Sequence, residues 1–175
     1  MTDTQRDTAT LATLLADNTS GRVTAQMLRD MLVSVFGGYG WMFVENGAVA
    51  QTANIAAAKL TAFAVNGTPS NGPIADKVNS QVTAVIAGDY LVWGEFALNG
   101  TPARTIQFQL RKNGIAVPGI RSRAKLDAAG DLTEISFTGL VTCSANDVLT
   151  VFVASDVDGT SITVVDASLV VRRVG

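Results

Sequence analysis

A two-residue rhythm constrains this chain more than any other feature. From Thr105 to Arg111, Ile106, Phe108 and Leu110 alternate with Gln107, Gln109 and Arg111. From Tyr90 to Leu98, Tyr90, Val92, Phe96 and Leu98 fall on one side, and Leu91, Trp93, Glu95 and Ala97 on the other. Side chains of an extended chain point alternately to opposite faces, so this pattern builds strands with one wet side and one core side. Trp41–Val44, Lys59–Val65, Val78–Ile86, Arg121–Leu126, Leu132–Val141, Val148–Ala154 and Ser161–Val171 are further strand candidates. Turn segments at 127–131, 144–147 and 156–160 separate them, and Lys112-Asn113-Gly114 is a hairpin turn of the positive-φ type. A long series of short strands with turn signals between them specifies a sandwich or barrel.

One stretch breaks the rhythm. Thr24 is placed to cap a helix over 24–36, in which Met27, Leu28, Met31, Leu32, Val35 and Phe36 share a face and Gln26, Arg29, Asp30 and Ser34 lie opposite. Gly37-Gly38 stops it. A helix of about 13 residues is marginal alone in water, so it needs a surface to dock against: its own domain, symmetry copies, or a groove on another protein. The expected organisation is an anchor segment over 1–36, a Gly-rich hinge and linker over 37–57, and a β-domain over 58–175. Within that domain Phe63-Ala64-Val65-Asn66-Gly67-Thr68-Pro69 is echoed by Phe96-Ala97-Leu98-Asn99-Gly100-Thr101-Pro102, two similar strand exits rather than a solenoid repeat.

With 175 residues there is room for one ordinary core and a short appendage. Thirteen basic residues against fifteen acidic ones give a net charge of −2, which offers no global field to attract phosphate backbones, so nucleic acid is not an expected partner. Charged residues are only 16% of the chain and apolar types 47%. Either a well-buried β-protein shows Thr, Ser, Asn and Gln to water, or part of the surface is covered by copies of itself; the scarcity of charge favours the second. No stretch reaches the ~18 apolar residues of a membrane span. The start, Met1-Thr2-Asp3-Thr4-Gln5-Arg6-Asp7, has none of the basic-then-apolar character of a secretory signal, so synthesis in a cytoplasm is expected.

Chemistry is sparse. The chain has no histidine, which removes histidine-activated nucleophiles and the commonest zinc ligand sets, and its one cysteine, Cys143, excludes CxxC chemistry and intrachain disulfides and reads as a buried thiol. The carboxylates Asp89, Glu95, Glu134, Asp147 and Asp166 are isolated along strands, so no catalytic pair, cofactor or metal is expected. Asp156-Val157-Asp158-Gly159-Thr160 lacks the further ligands of a calcium loop and reads as a turn. Arg121, Arg123 and Lys125 alternate on one strand face and, with Arg111 and Lys112, form either a solvated edge that discourages sheet aggregation or a basic patch for an acidic partner or glycan. Asn66-Gly67-Thr68 and Asn99-Gly100-Thr101 match a glycosylation pattern without a secretory context to give it meaning.

Two segments carry family resemblances. Gly88-Asp89-Tyr90-Leu91-Val92 is similar to the G-x-Y-x-[FV] strand of complement/tumour-necrosis-factor-like jelly rolls, and Ser144-Ala145-Asn146-Asp147-Val148-Leu149-Thr150-Val151 to their turn and following strand, with Asn146 standing where Gly is usual. Asn tolerates the left-handed conformation such a turn needs. Val165–Val171 resembles their closing strand. The resemblance implies a ten-strand jelly-roll sandwich and a compact homotrimer with aromatic and aliphatic residues of the inner sheet on the axis. Leu91 and Trp93 are expected contacts, and so are Leu149, Val151 and Val153, which lie opposite Val148 and Phe152 on a strand apolar on both faces that needs a neighbour beyond its own core. Asp17-Asn18-Thr19-Ser20-Gly21-Arg22-Val23-Thr24-Ala25-Gln26-Met27-Leu28-Arg29-Asp30-Met31 resembles a segment near the start of tailed-phage head-fibre, collar and tail-fibre proteins. It implies a virion protein, made in the bacterial host cytoplasm, whose first 36 residues bind a capsid, collar or tail protein. A receptor- or glycan-binding adhesin on the same trimer is the rival. The loops 101–104, 117–120 and 156–160 that would read a host-surface glycan lack Trp, Tyr and Phe, which favours the structural role.

Overall fold

The structure, a computed structural model, describes residues 38–67 and 72–174. The expected anchor helix, with Met27, Leu28, Met31, Leu32, Val35 and Phe36, lies outside the described residues.

Twelve strands follow in chain order: β1 (Tyr39–Val44), β2 (Val49–Ala53), β3 (Ala58–Lys59), β4 (Val65–Asn66), β5 (Ile74–Asp76), β6 (Gln81–Thr83), β7 (Gly88–Gly100), β8 (Thr105–Lys112), β9 (Ile115–Lys125), β10 (Thr133–Cys143), β11 (Val148–Ser155) and β12 (Thr160–Arg173). They form two six-stranded antiparallel sheets. Sheet A runs β10-β7-β12-β1-β4, with β2 also on β12; sheet B runs β5-β6-β11-β8-β9, with β3 also on β11. Consecutive strands repeatedly change sheets, as in a jelly roll, and the alternation read from the sequence decides which side of each strand faces the other sheet.

The core lies between the sheets. Tyr90, Val92, Phe96 and Leu98 of β7 and Ile162, Val164, Leu169 and Val171 of β12 meet Ile106, Phe108 and Leu110 of β8 and Leu149, Val151 and Val153 of β11. Phe96 and Phe108 stack across the gap at 4.3 Å between ring centroids, and Phe137 tilts against Phe96 at 5.7 Å. On one side β9 and β10 close the sandwich, where Ile120 packs so tightly over Gly139 that a Cβ there would meet its side chain.

Two turns behave as their residues require. Asn113 (φ 51°) and Gly114 (φ 80°) make the β8–β9 hairpin, and Asn146 (φ 70°) takes the left-handed position between β10 and β11. Asp147 ties these two turns together. Its carboxylate accepts the Asn113 side-chain N–H at 2.7 Å and the Ser144 backbone N–H at 2.8 Å, while the Val148 N–H donates to the Asn113 side-chain Oδ1 at 2.8 Å.

Three expectations are corrected. The hinge placed over 37–57 is part of the domain: β1 pairs with β12 from Tyr39↔Arg172 to Val44↔Ala167, and β2 pairs with β12 from Val49↔Val164 to Ala53↔Thr160. Gly40 serves close packing, since a Cβ there would collide with the Pro73 carbonyl. The strand placed over 78–86 shrinks to Gln81–Thr83, because the Asp76 carboxylate takes the Asn79 backbone and side-chain N–H groups and turns the chain, leaving Val78 85% exposed. The two echoed segments also differ: Val65–Asn66 is a two-residue strand, whereas Asn99 and Gly100 continue β7 beside β12.

Candidate interaction surfaces

Register places the outward side chains of sheet A in rows. Leu140 of β10, Leu91 of β7, Arg172 of β12 and Tyr39 of β1 stand in line; the next row is Thr138, Trp93, Val170 and Trp41, and the next Ser136, Glu95, Ser168, Phe43 and Val65. Trp41 and Phe43 stack at 4.6 Å, and Trp41 lies over Gly67, where a Cβ would fall within its ring. Leu140 is 65% exposed, and Tyr39 and Val65 are each 42% exposed. This face therefore presents two tryptophans, a phenylalanine, a tyrosine, two leucines and two valines, exposed or half-buried, on the outer side of one sheet. Contiguous apolar faces of this kind mark contact surfaces.

The face has an acidic end. Glu134 and Asp166 flank Ala97 from the two neighbouring strands, and with Glu95 they line a shallow depression of about 580 Å³. The Asn46 N–H donates to Asp166 at 2.8 Å. Three of the five carboxylates isolated in sequence thus share one surface, while Asp89 accepts the Thr142 hydroxyl and Asp147 belongs to the turn network. Among the described residues no three carboxylate or thiol groups are placed to hold a metal ion.

The expected subunit contacts divide. Leu91 and Trp93 are half-buried on the outer face of sheet A. Leu149, Val151 and Val153 point between the chain's own sheets with no exposed surface, so they have nothing to offer a second subunit. Strand β11 reads as apolar on both faces because its outer residue Phe152 is covered from within the chain: the Arg111 guanidinium sits 4.0 Å from the ring centroid. Tyr39, Trp41, Phe43, Leu140 and Val170 were not singled out from sequence as contacts. A signal existed in Trp41-Met42-Phe43-Val44, where two-sided apolarity marks a strand covered on both faces.

The outer face of sheet B is cationic. Arg121, Arg123 and Lys125 are exposed along β9, opposite Gln109, Gln107 and Thr105 of β8. Cys143 is buried at the end of β10, and burial pushes its thiol up to about 11.

No protein-family model matches the chain, and no curated protein matches it. Solved structures do. Eiger TNF from S. frugiperda superposes with a TM-score of 0.61 at 13% identity over 79% of this chain and 93% of that one. The globular domain of the zebrafish complement 1qA protein gives 0.55 at 9% identity over 77% of this chain and 94% of that one. The fold is the tumour-necrosis-factor/complement jelly roll, as the Gly88–Val92 and Ser144–Val151 motifs imply.

Proposed function

We propose that this chain is a non-enzymatic structural protein of a tailed-phage virion, a homotrimer whose jelly-roll head projects from the particle and whose residues 1–36 attach it to a capsid, collar or tail protein. The observation that carries the trimer is the outer face of sheet A, where Trp41, Phe43, Leu91, Trp93, Leu140 and Val170 crowd one side of a sandwich already filled on the other. Burial of such side chains is the main driving force of association. The jelly-roll fold supports the same reading.

A threefold ring needs heterologous contacts, one patch against a different one. The second patch is present at the β9–β10 edge, where Ile115, 75% exposed, joins Val117, Pro118 and Leu140 around a depression of about 430 Å³. Leu140 belongs to both patches. The virion role draws on the likeness of residues 17–31 to phage fibre and collar proteins, and trimerisation gives a weakly docking helix its avidity, because the second and third contacts become intramolecular.

Deleting residues 1–36 leaves β1 intact, so the truncated chain is expected to fold, to keep a trimer mass by light scattering, and to be missing from purified particles. Truncated protein that still copurifies with virions refutes the anchor; a monomeric mass for the full-length chain refutes the trimer. A second reading, a receptor- or glycan-binding adhesin on the same trimer, is favoured by the cationic face of sheet B.

A further inference from the structure

Outward side chains two residues apart on a strand are separated by about 6.7 Å. Arg121, Arg123 and Lys125 therefore form a line of positive charge along β9, and no ion pair among the described residues reaches any of them. Arg123 is the most constrained. Its Nε donates to the Gln107 Oε1 at 2.6 Å, which orients the guanidinium and leaves its two Nη groups and the Gln107 Nε2 as donors toward solvent.

These donors form one wall of a depression of about 390 Å³, completed by Thr105, Ile55, Ala154, Ser155 and Asp156. That volume is in the range of small-ligand sites, about 300–1,000 Å³. The wall opposite Arg123 is different in kind. The Asp156 carboxylate accepts the Thr105 N–H at 3.1 Å and the Ser155 hydroxyl at 3.3 Å, and Ile55, 63% exposed, adds an apolar surface. A ligand that satisfies both walls carries an anionic group at one end and, at the other, hydroxyls that donate to a carboxylate beside an apolar ring face that packs on Ile55. A sugar acid has all three.

Nucleic acid fits less well. Among the described residues the one aromatic on this face, Phe152, is covered by Arg111, which leaves no platform for base stacking, and Asp156 opposes a phosphate chain.

We propose that this depression binds an acidic residue of a linear polysaccharide, a uronate or a sulfated sugar, through Arg123 and Gln107, with Arg121 and Lys125 engaging the neighbouring anionic groups. The inference rests on the adhesin reading. Sheet B faces away from the apolar face of sheet A, so a trimer carries three such sites and gains avidity on a repeating polymer.

The test uses the full-length chain, with titration calorimetry against polygalacturonate (carboxylate), heparin (sulfate), dextran (neutral) and poly(dT). Binding of one or both acidic polysaccharides but not dextran is expected, and whichever binds identifies the acid. Arg123→Gln should weaken it about fivefold or more, as loss of one charge-assisted contact does. An Arg121→Gln/Lys125→Gln chain should flatten its salt dependence. Binding that ignores Arg123→Gln in a chain of wild-type mass and circular dichroism overturns the site and leaves the adhesin reading standing, as does poly(dT) binding as tightly as either glycan. Dextran binding as well as the acids overturns the acid specificity alone. Failure of all the polysaccharides to bind overturns the site and, with it, the glycan-binding form of the adhesin reading.

Discussion

Replacing Leu140 by Ser separates the stability of one subunit from that of the assembly. Leu140 is 65% exposed on its own chain, where it contributes little to the core, so Leu140→Ser should change subunit stability by no more than about 0.5 kcal/mol. Full burial of a leucine is worth about 1.5–3 kcal/mol, so covering its exposed part in an interface is worth about 1–2 kcal/mol per subunit and about 3–6 kcal/mol per trimer. That lowers the trimer association constant by a factor of about 10² to 10⁴. Because that constant carries concentration squared, the half-assembly concentration rises about 10- to 100-fold. Sedimentation equilibrium over a dilution series reads the assembly, and urea unfolding of the dissociated chain reads the subunit. A variant that assembles like wild type shows that the β9–β10 edge and the adjoining sheet A face are not the contact. A variant that loses subunit stability in proportion shows that Leu140 acts within the chain.

Phe108→Ala should destabilise the domain by about 3–5 kcal/mol, since Phe108 is fully buried and stacked on Phe96 at the meeting of the sheets; a denaturant midpoint within error of wild type contradicts that packing. Hydrogen bonds from Asn113 and from the Ser144 N–H, with the Lys112 ammonium 3.5 Å away, hold the Asp147 carboxyl below its usual value of 3.8. A depressed folded value contributes stability that is present above 3.8 and lost as pH falls through the lowered value. Asp147→Asn should therefore reduce the loss of stability on acidification below about pH 4, and a variant with an unchanged acid limb refutes the linkage. With its thiol pushed up to about 11, Cys143 should be about one part in a thousand thiolate at pH 8 and react with a disulfide reagent slowly in the native protein and quickly in denaturant; prompt native reaction contradicts its burial.

The fold was legible because its signals are local. Alternation in Tyr90–Leu98 and Thr105–Arg111 needs only the two-residue period of an extended chain, and Asn113-Gly114 and Asn146 announce turns through their own backbone preferences. The absence of histidine and the lone cysteine narrow the chemistry through composition alone.

What sequence could not decide is which of two apolar faces of a strand turns inward and what covers the other. Leu149, Val151 and Val153 proved to be core because β11 sits mid-sheet with these side chains turned toward the other sheet, and Phe152 on the far side is covered by Arg111, which lies diagonally across the β8–β11 pair and 41 positions earlier in the chain. Trp41–Val44 reads as a strand from its own residues, but its glycine neighbours set it in a hinge outside the domain, and only antiparallel pairing with β12 draws it into the sheet. Local periodicity is a property of a few consecutive residues, so the chain alone determines it. Which faces meet, and which cations, carboxylates and aromatics gather on one surface, depends on register between segments as much as 133 residues apart, such as Tyr39 and Arg172, and only the folded sandwich decides that.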